Sequence, residues 1–134
     1  MIVVDTNLVV HYYVRGTHSS LAEAVLGRDA LWAAPLLWRS EFRNALALFV
    51  RQRLVALDDA VLLALEAERL MAGREHAVVS HRVLRLAADS GCSAYDCEFV
   101  ALAEDLDIPL VTSDRQVLRA FPSAAVTPER FLVA

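Results

Sequence analysis

Three branched aliphatic residues running straight into an acid, Ile2-Val3-Val4-Asp5-Thr6-Asn7, constrain this chain more than any other stretch. An apolar triplet with no polar alternation reads as a short strand buried on both faces. Asp5 then falls at the carboxyl end of that strand, and in an open parallel α/β sheet ligands bind in the crevice outside those ends. The same residue is equally placed to N-cap a helix beginning near Asn7, because an Asp oxygen accepts from an amide two or three residues on. Taken alone, Asp5 fits either role.

The 134 residues suit one domain spanning the whole chain. Helices are expected over residues 8–13 and 18–26, with Gly27 just past the second. Leu31-Trp32-Ala33-Ala34 reads as a strand, and Pro35 as the first turn of a long helix, where its missing amide hydrogen costs nothing. Along that helix Leu37, Glu41, Asn44, Ala45 and Leu48 share a face, which puts Glu41 among aliphatic side chains. A carboxylate so placed needs either an arginine or a metal. Asp58 is positioned to cap a helix over residues 60–71 before Gly73, Ala77-Val78-Val79 reads as a third strand, and a helix through Arg82, Leu84 and Ala88 stops at Gly91.

In the second half, Ser93-Ala94-Tyr95-Asp96 matches a capping box, and Asp96 shares an inward helical face with Phe99, Val100 and Ala103 while Glu98 points outward. Leu110-Val111 is another short strand, after which Thr112-Ser113-Asp114 again sets an acid before a helix, here over residues 115–120. Asp114 therefore also has a capping explanation. Ala124-Ala125-Val126 makes an edge strand before Pro128.

Alternating β and α elements bring the two strand-end acids, Asp5 and Asp114, to one sheet edge, with Glu41 and Asp96 facing inward from helices. Carboxylates that converge repel one another and raise their own pKa values, a cost that a divalent cation reverses. Oxygen-only ligation points to Mg²⁺ or Mn²⁺.

Composition narrows the classes. All the basic charge is arginine, the formal net charge is −4, and hydrophobic residues make up 57%, above the ~45–50% typical of soluble domains. The apolar excess implies a surface kept for a partner, and the acidic balance is what a cation-binding site would produce. Cys92 and Cys97 lack zinc-site spacing, no HExxH, GxSxG or P-loop is present, and no uncharged run reaches the ~18 residues of a membrane span. A cytoplasmic protein with two buried thiols is expected.

The ordered set Val4-Asp5-Thr6-Asn7, Pro35 with Ser40-Glu41 and Asn44-Ala45-Leu46, Tyr95-Asp96 with Ala101-Leu102-Ala103, and Leu110-Val111-Thr112-Ser113-Asp114 resembles the PIN-domain family, most closely the VapC-type toxins of VapBC toxin–antitoxin pairs. The resemblance covers essentially the whole chain. It implies a central parallel sheet of about five short strands flanked by helices, a homodimer, and Mg²⁺- or Mn²⁺-dependent endoribonuclease activity restrained by a cognate VapB-like antitoxin. Carried over, Asp5, Glu41 and Asp96 are the core acids and Asp114 the fourth, while Asn7, Thr112 and Ser113 orient ligands or water. Arg15, Arg39, Arg43 and Arg115 lie near these motifs in sequence and are candidates for phosphate contact. Two rivals remain: a catalytically silent PIN-like binding or dimerisation module, and a haloacid-dehalogenase-like phosphatase. The latter needs a second Asp two residues after the first and a downstream lysine, whereas here Asn7 holds that place and the chain has no lysine.

Overall fold

A computed structural model describes residues 1–134 as five short parallel strands in the order β3-β2-β1-β4-β5, interleaved with eight helices. The sheet comprises β1 (Ile2–Val4), β2 (Trp32–Pro35), β3 (Glu75–His76), β4 (Leu110–Val111) and β5 (Ala125–Val126). The helices are α1 (Thr6–Tyr13), α2 (Ser19–Arg28), α3 (Leu37–Arg51), α4 (Leu57–Met71), α5 (Ser80–Ser90), α6 (Ala94–Leu106), α7 (Arg115–Ala120) and α8 (Pro128–Val133). This is the parallel α/β domain expected from the apolar triplets. Ile2, Val3 and Val4 are sealed from solvent at the centre of the sheet, together with Trp32, Ala33, Ala34, Leu110 and Val111.

The strand order decides where a site can form. β2 and β3 lie on one side of β1, β4 and β5 on the other, so the chain reverses its winding direction at β1. A crevice opens at such a switch point. Val3 pairs with Leu110 and Val4 with Val111, and this register carries Asp5 alongside Thr112 just past the strand ends; the Asp5 amide donates to the Val111 carbonyl at 3.1 Å.

Several local expectations are corrected. Pro35 does not open α3; it ends β2, in register with His76, and the ladder closes through the Leu36 amide instead. The buried face of α3 is Trp38, Phe42 and Leu46, one residue out of phase with the expected one, because the two bulky aromatics fill more core than Leu37 or Leu48. Glu41 sits at the margin of that face, and Asn44 and Leu48 are exposed. The third strand is Glu75–His76 rather than Ala77-Val78-Val79. Ala56 precedes the first turn of α4, with Asp58 and Asp59 inside it where they favour the helix dipole. Gly27 lies within α2. Pro128 opens α8 behind a Thr127 cap. Gly91 does end α5, in the left-handed conformation (φ +75°) that glycine adopts without Cβ strain.

Candidate active site

Each of the four acids enters the crevice by a different local device. Asp5 occupies the cap position of α1 in extended conformation, yet its side chain makes no capping bond. It accepts instead from the Thr112 hydroxyl at 2.7 Å. The hydroxyl of Thr112, a residue only 2% exposed, in turn accepts from the Asp114 amide at 3.0 Å, so one threonine at the end of β4 fixes the strand-end acid on one side and the turn carrying Asp114 on the other. Asp114 does cap: its Oδ1 accepts from the Val117 amide at 3.0 Å, leaving the other carboxylate oxygen out of the cap. Asp96 lies in the first turn of α6, and it is Ser93, through the Asp96 amide at 3.0 Å, that caps this helix. The capping explanation thus holds around Asp96, whose carboxylate meets the Ser93 side chain but no cation.

Glu41 is held by a residue that sequence reasoning passed over. Thr6, buried at the start of α1, donates to Glu41 Oε1 at 2.7 Å. A threonine directly after a strand-end acid carried no distinctive signal, because β-branched residues are common where a strand gives way to a helix.

The electrostatics tie the four together. Burial pushes the Asp5 carboxyl above the usual carboxylate range against the opposing Thr112 hydrogen bond, and the nearby Asp114 charge pushes the same way. Burial likewise raises Glu41, with further repulsion from Asp5, Asp96 and Glu98. Asp96 is raised by burial and by repulsion from Asp114 and Asp5. Glu98 is half-buried beside them rather than pointing outward as expected. No arginine, histidine or terminal amine forms an ion pair with any of the four acids.

An uncompensated cluster of oxygen donors is chemically matched to a hard divalent cation, which takes carboxylate, carbonyl and water oxygens. As placed, however, no three acidic, histidine or cysteine side chains close around one point. Like charges held apart only by protein stand in this way. The donors fit such a cation in kind, and closing on it requires side-chain movement.

A cleft of about 230 Å³ opens from Asp5, Thr112 and Ser113 past Asn7 to His11 and His18. Asn7 and Ser113, both exposed, sit on its wall. The arginines divide. Arg39 is committed to Glu75 by two hydrogen bonds of 2.6 and 2.7 Å and to Glu68 by one of 3.0 Å, and Arg15 pairs with Glu23. Arg43 and Arg115 are exposed and make no ion pair. Of the aromatics near these motifs, Trp38 and Phe42 are each 1% exposed and Tyr13 meets Phe42 edge-on, whereas Tyr95, beside Asp96, is exposed.

The family model of the PIN domain matches residues 2–122. Ribonuclease VapC3 of Pyrobaculum aerophilum is 33% identical over 130 residues, which covers 95% of this chain and 98% of that one. Among solved structures, the fold is similar to that of PAE2754 from Pyrobaculum aerophilum (TM-score 0.72, 23% identity, 98% of this chain and 93% of that chain). It is similar also to FitAcB from Neisseria gonorrhoeae (TM-score 0.72, 22% identity, 96% and 99%) and to a toxin–antitoxin complex from Klebsiella pneumoniae (TM-score 0.67, 16% identity, 96% and 98%). A parallel sheet with its switch point at β1, four acids gathered there and a family match across nine-tenths of the chain lead to one assignment: this protein belongs to the PIN-domain family.

Proposed function

We propose that this protein is a metal-dependent endoribonuclease, the toxin of a type II toxin–antitoxin pair, working in the cytoplasm as a homodimer under a VapB-like antitoxin. The observation that carries the reading is the set of four carboxylates at the switch point with no protein cation to balance them. The likeness to a relative named as a ribonuclease supports RNA as the substrate class.

Asp5, Asp96 and Asp114 would hold Mg²⁺ or Mn²⁺, and Glu41 would hold a second ion or steer the attacking water. A bound divalent cation supplies an acidified water and charge stabilisation on the phosphate. Thr112 keeps the Asp5 carboxylate turned toward the crevice, and Thr6 does the same for Glu41. Glu41 accepts from Thr6 through Oε1, which leaves Oε2 to orient the water attacking the phosphodiester. No side chain acts as nucleophile; both cysteines are buried thiols. An exposed stripe of Leu57, Val61 and Leu65 on α4 supports a protein partner, since large apolar side chains at helical spacing outside the core mark docking surfaces.

A second reading, a catalytically silent binding module, is favoured by the acids not closing on one point. Purified, antitoxin-free protein incubated with total cellular RNA separates the two. Fragments formed with Mg²⁺ or Mn²⁺ and absent in EDTA are expected. No fragments and no metal-induced rise in melting temperature would leave the binding module.

A further inference from the structure

The cleft beside Asp5 does not end at the acids. It runs to two histidines, His11 on α1 and His18 just before α2, whose rings stand 4.8 Å apart and tilted by 47°. No protein hydrogen bond holds either ring. No arginine lines this cleft, although the chain has thirteen basic residues, all arginine. Burial, and then the neighbouring His18, push His11 below the ordinary imidazole range while Asp5 pulls the other way; in either protonation state the ring has at least one N–H to donate. Glu129, from the first turn of α8, lines the same cleft and only accepts.

We propose that this cleft is a nucleotide subsite for the RNA strand, in which His11 and His18 donate to the phosphodiester adjoining the scissile one and Glu129 accepts from the ribose 2′-hydroxyl. The inference rests on the ribonuclease reading and says how that site holds its substrate. A volume of about 230 Å³ falls below the ~300–1,000 Å³ of pockets that engulf a small molecule. It suits one sugar–phosphate unit of a chain whose remainder lies outside. Two imidazoles donate hydrogen bonds to a phosphate oxygen without the permanent charge and forked donors by which a guanidinium in the same place would pair with Asp5. An acceptor-only carboxylate beside them repels phosphate but matches a hydroxyl donor, the group that distinguishes RNA from DNA.

The test compares wild type, His11→Gln, His18→Gln and Glu129→Gln. A fluorescein-labelled single-stranded RNA carrying a site cut by the wild type, and its 2′-deoxy counterpart, serve as probes. Each histidine variant is expected to raise KM about fivefold, the factor set by one lost hydrogen bond, with kcat within twofold and an unchanged melting temperature. Glu129→Gln is expected to narrow the preference for RNA over the deoxy probe. Unchanged KM in both histidine variants while the wild type cleaves would overturn the subsite and leave the nuclease standing. A wild type that cuts no RNA would overturn both.

Discussion

Thr6 and Glu41, 35 residues apart, are joined by a hydrogen bond of 2.7 Å that ties the first residue of α1 to the second turn of α3. Thr6 also directly follows Asp5, so one buried hydroxyl sets the spacing between two of the four acids. Thr6→Val keeps the shape and removes the donor. Glu41 then sits half-buried with one partner fewer, a loss of about 1–2 kcal/mol. RNA cleavage is expected to fall about tenfold through kcat, with KM little changed. Denaturant unfolding and initial rates measure both, and a variant with wild-type kcat would deny Glu41 its need for orientation.

Without metal, the cluster should make the protein less stable at neutral pH than in mild acid. Burial raises Asp5, Glu41 and Asp96. When an acid's folded-state pKa exceeds its unfolded one, the native state binds more protons between the two values, so stability falls as pH rises through that window. The penalty is complete above the folded pKa and absent below the unfolded values, 3.8 for Asp and 4.5 for Glu. Glu75 runs the other way: hydrogen bonds from Arg39 lower it, and its contribution is lost as pH falls through the folded pKa. Melting temperature in EDTA should therefore peak in mild acid. Asp5→Asn should raise the melting temperature at neutral pH. A wild-type curve still climbing from mild acid to neutrality would contradict this.

Metal should reverse that penalty. At about a hundred times its Kd, Mn²⁺ adds about 2.7 kcal/mol, or roughly 10 °C for a chain of this size. Since carboxylates must be ionised to bind, the rise should be larger at neutral than at mildly acidic pH. Differential scanning fluorimetry at two pH values reads it directly; equal shifts at both would place the ion elsewhere.

Arg39 should prove structural. Its guanidinium spans Glu75 and Glu68, and Trp38 Nε1 donates to the same Glu75 oxygen at 2.7 Å. Arg39→Ala should cost about 1–3 kcal/mol by stranding the poorly exposed Glu75, while cleavage below the melting transition stays within twofold. Loss of cleavage at full stability would return Arg39 to the substrate-contact set.

Short apolar runs ending in an acid made β1 and the end of β4 legible, because a parallel strand buried on both faces leaves an unmistakable aliphatic pattern. The α3 face was misread because Leu37, Ala45 and Leu48 keep helical spacing as well as Trp38, Phe42 and Leu46 do, and only side-chain volume decides between them. β3 left no hydrophobic trace: it is two polar residues long, and Glu75 belongs there through Arg39. Pro35 ended a strand because the neighbouring Leu36 amide could complete the ladder. The acids were readable as chemical types at strand ends and helix faces. Thr6, and the pairing of His11 with His18, arise only when separate segments meet.

If Asp5, Glu41, Asp96 and Asp114 act as one centre, cleavage at one site needs all four. The deciding experiment is kcat/KM at a single mapped RNA site for Asp5→Asn, Glu41→Gln, Asp96→Asn and Asp114→Asn, with Mg²⁺ and with EDTA, on protein shown to be folded by circular dichroism. Each variant is predicted to lose about a hundredfold or more, since even partners outside the ligand shell of a metal site cost 10–100-fold, and EDTA is predicted to abolish wild-type cleavage. Fragments that persist in EDTA, or wild-type rates in any two of the four variants, would mean that the four acids are not one metal-dependent centre.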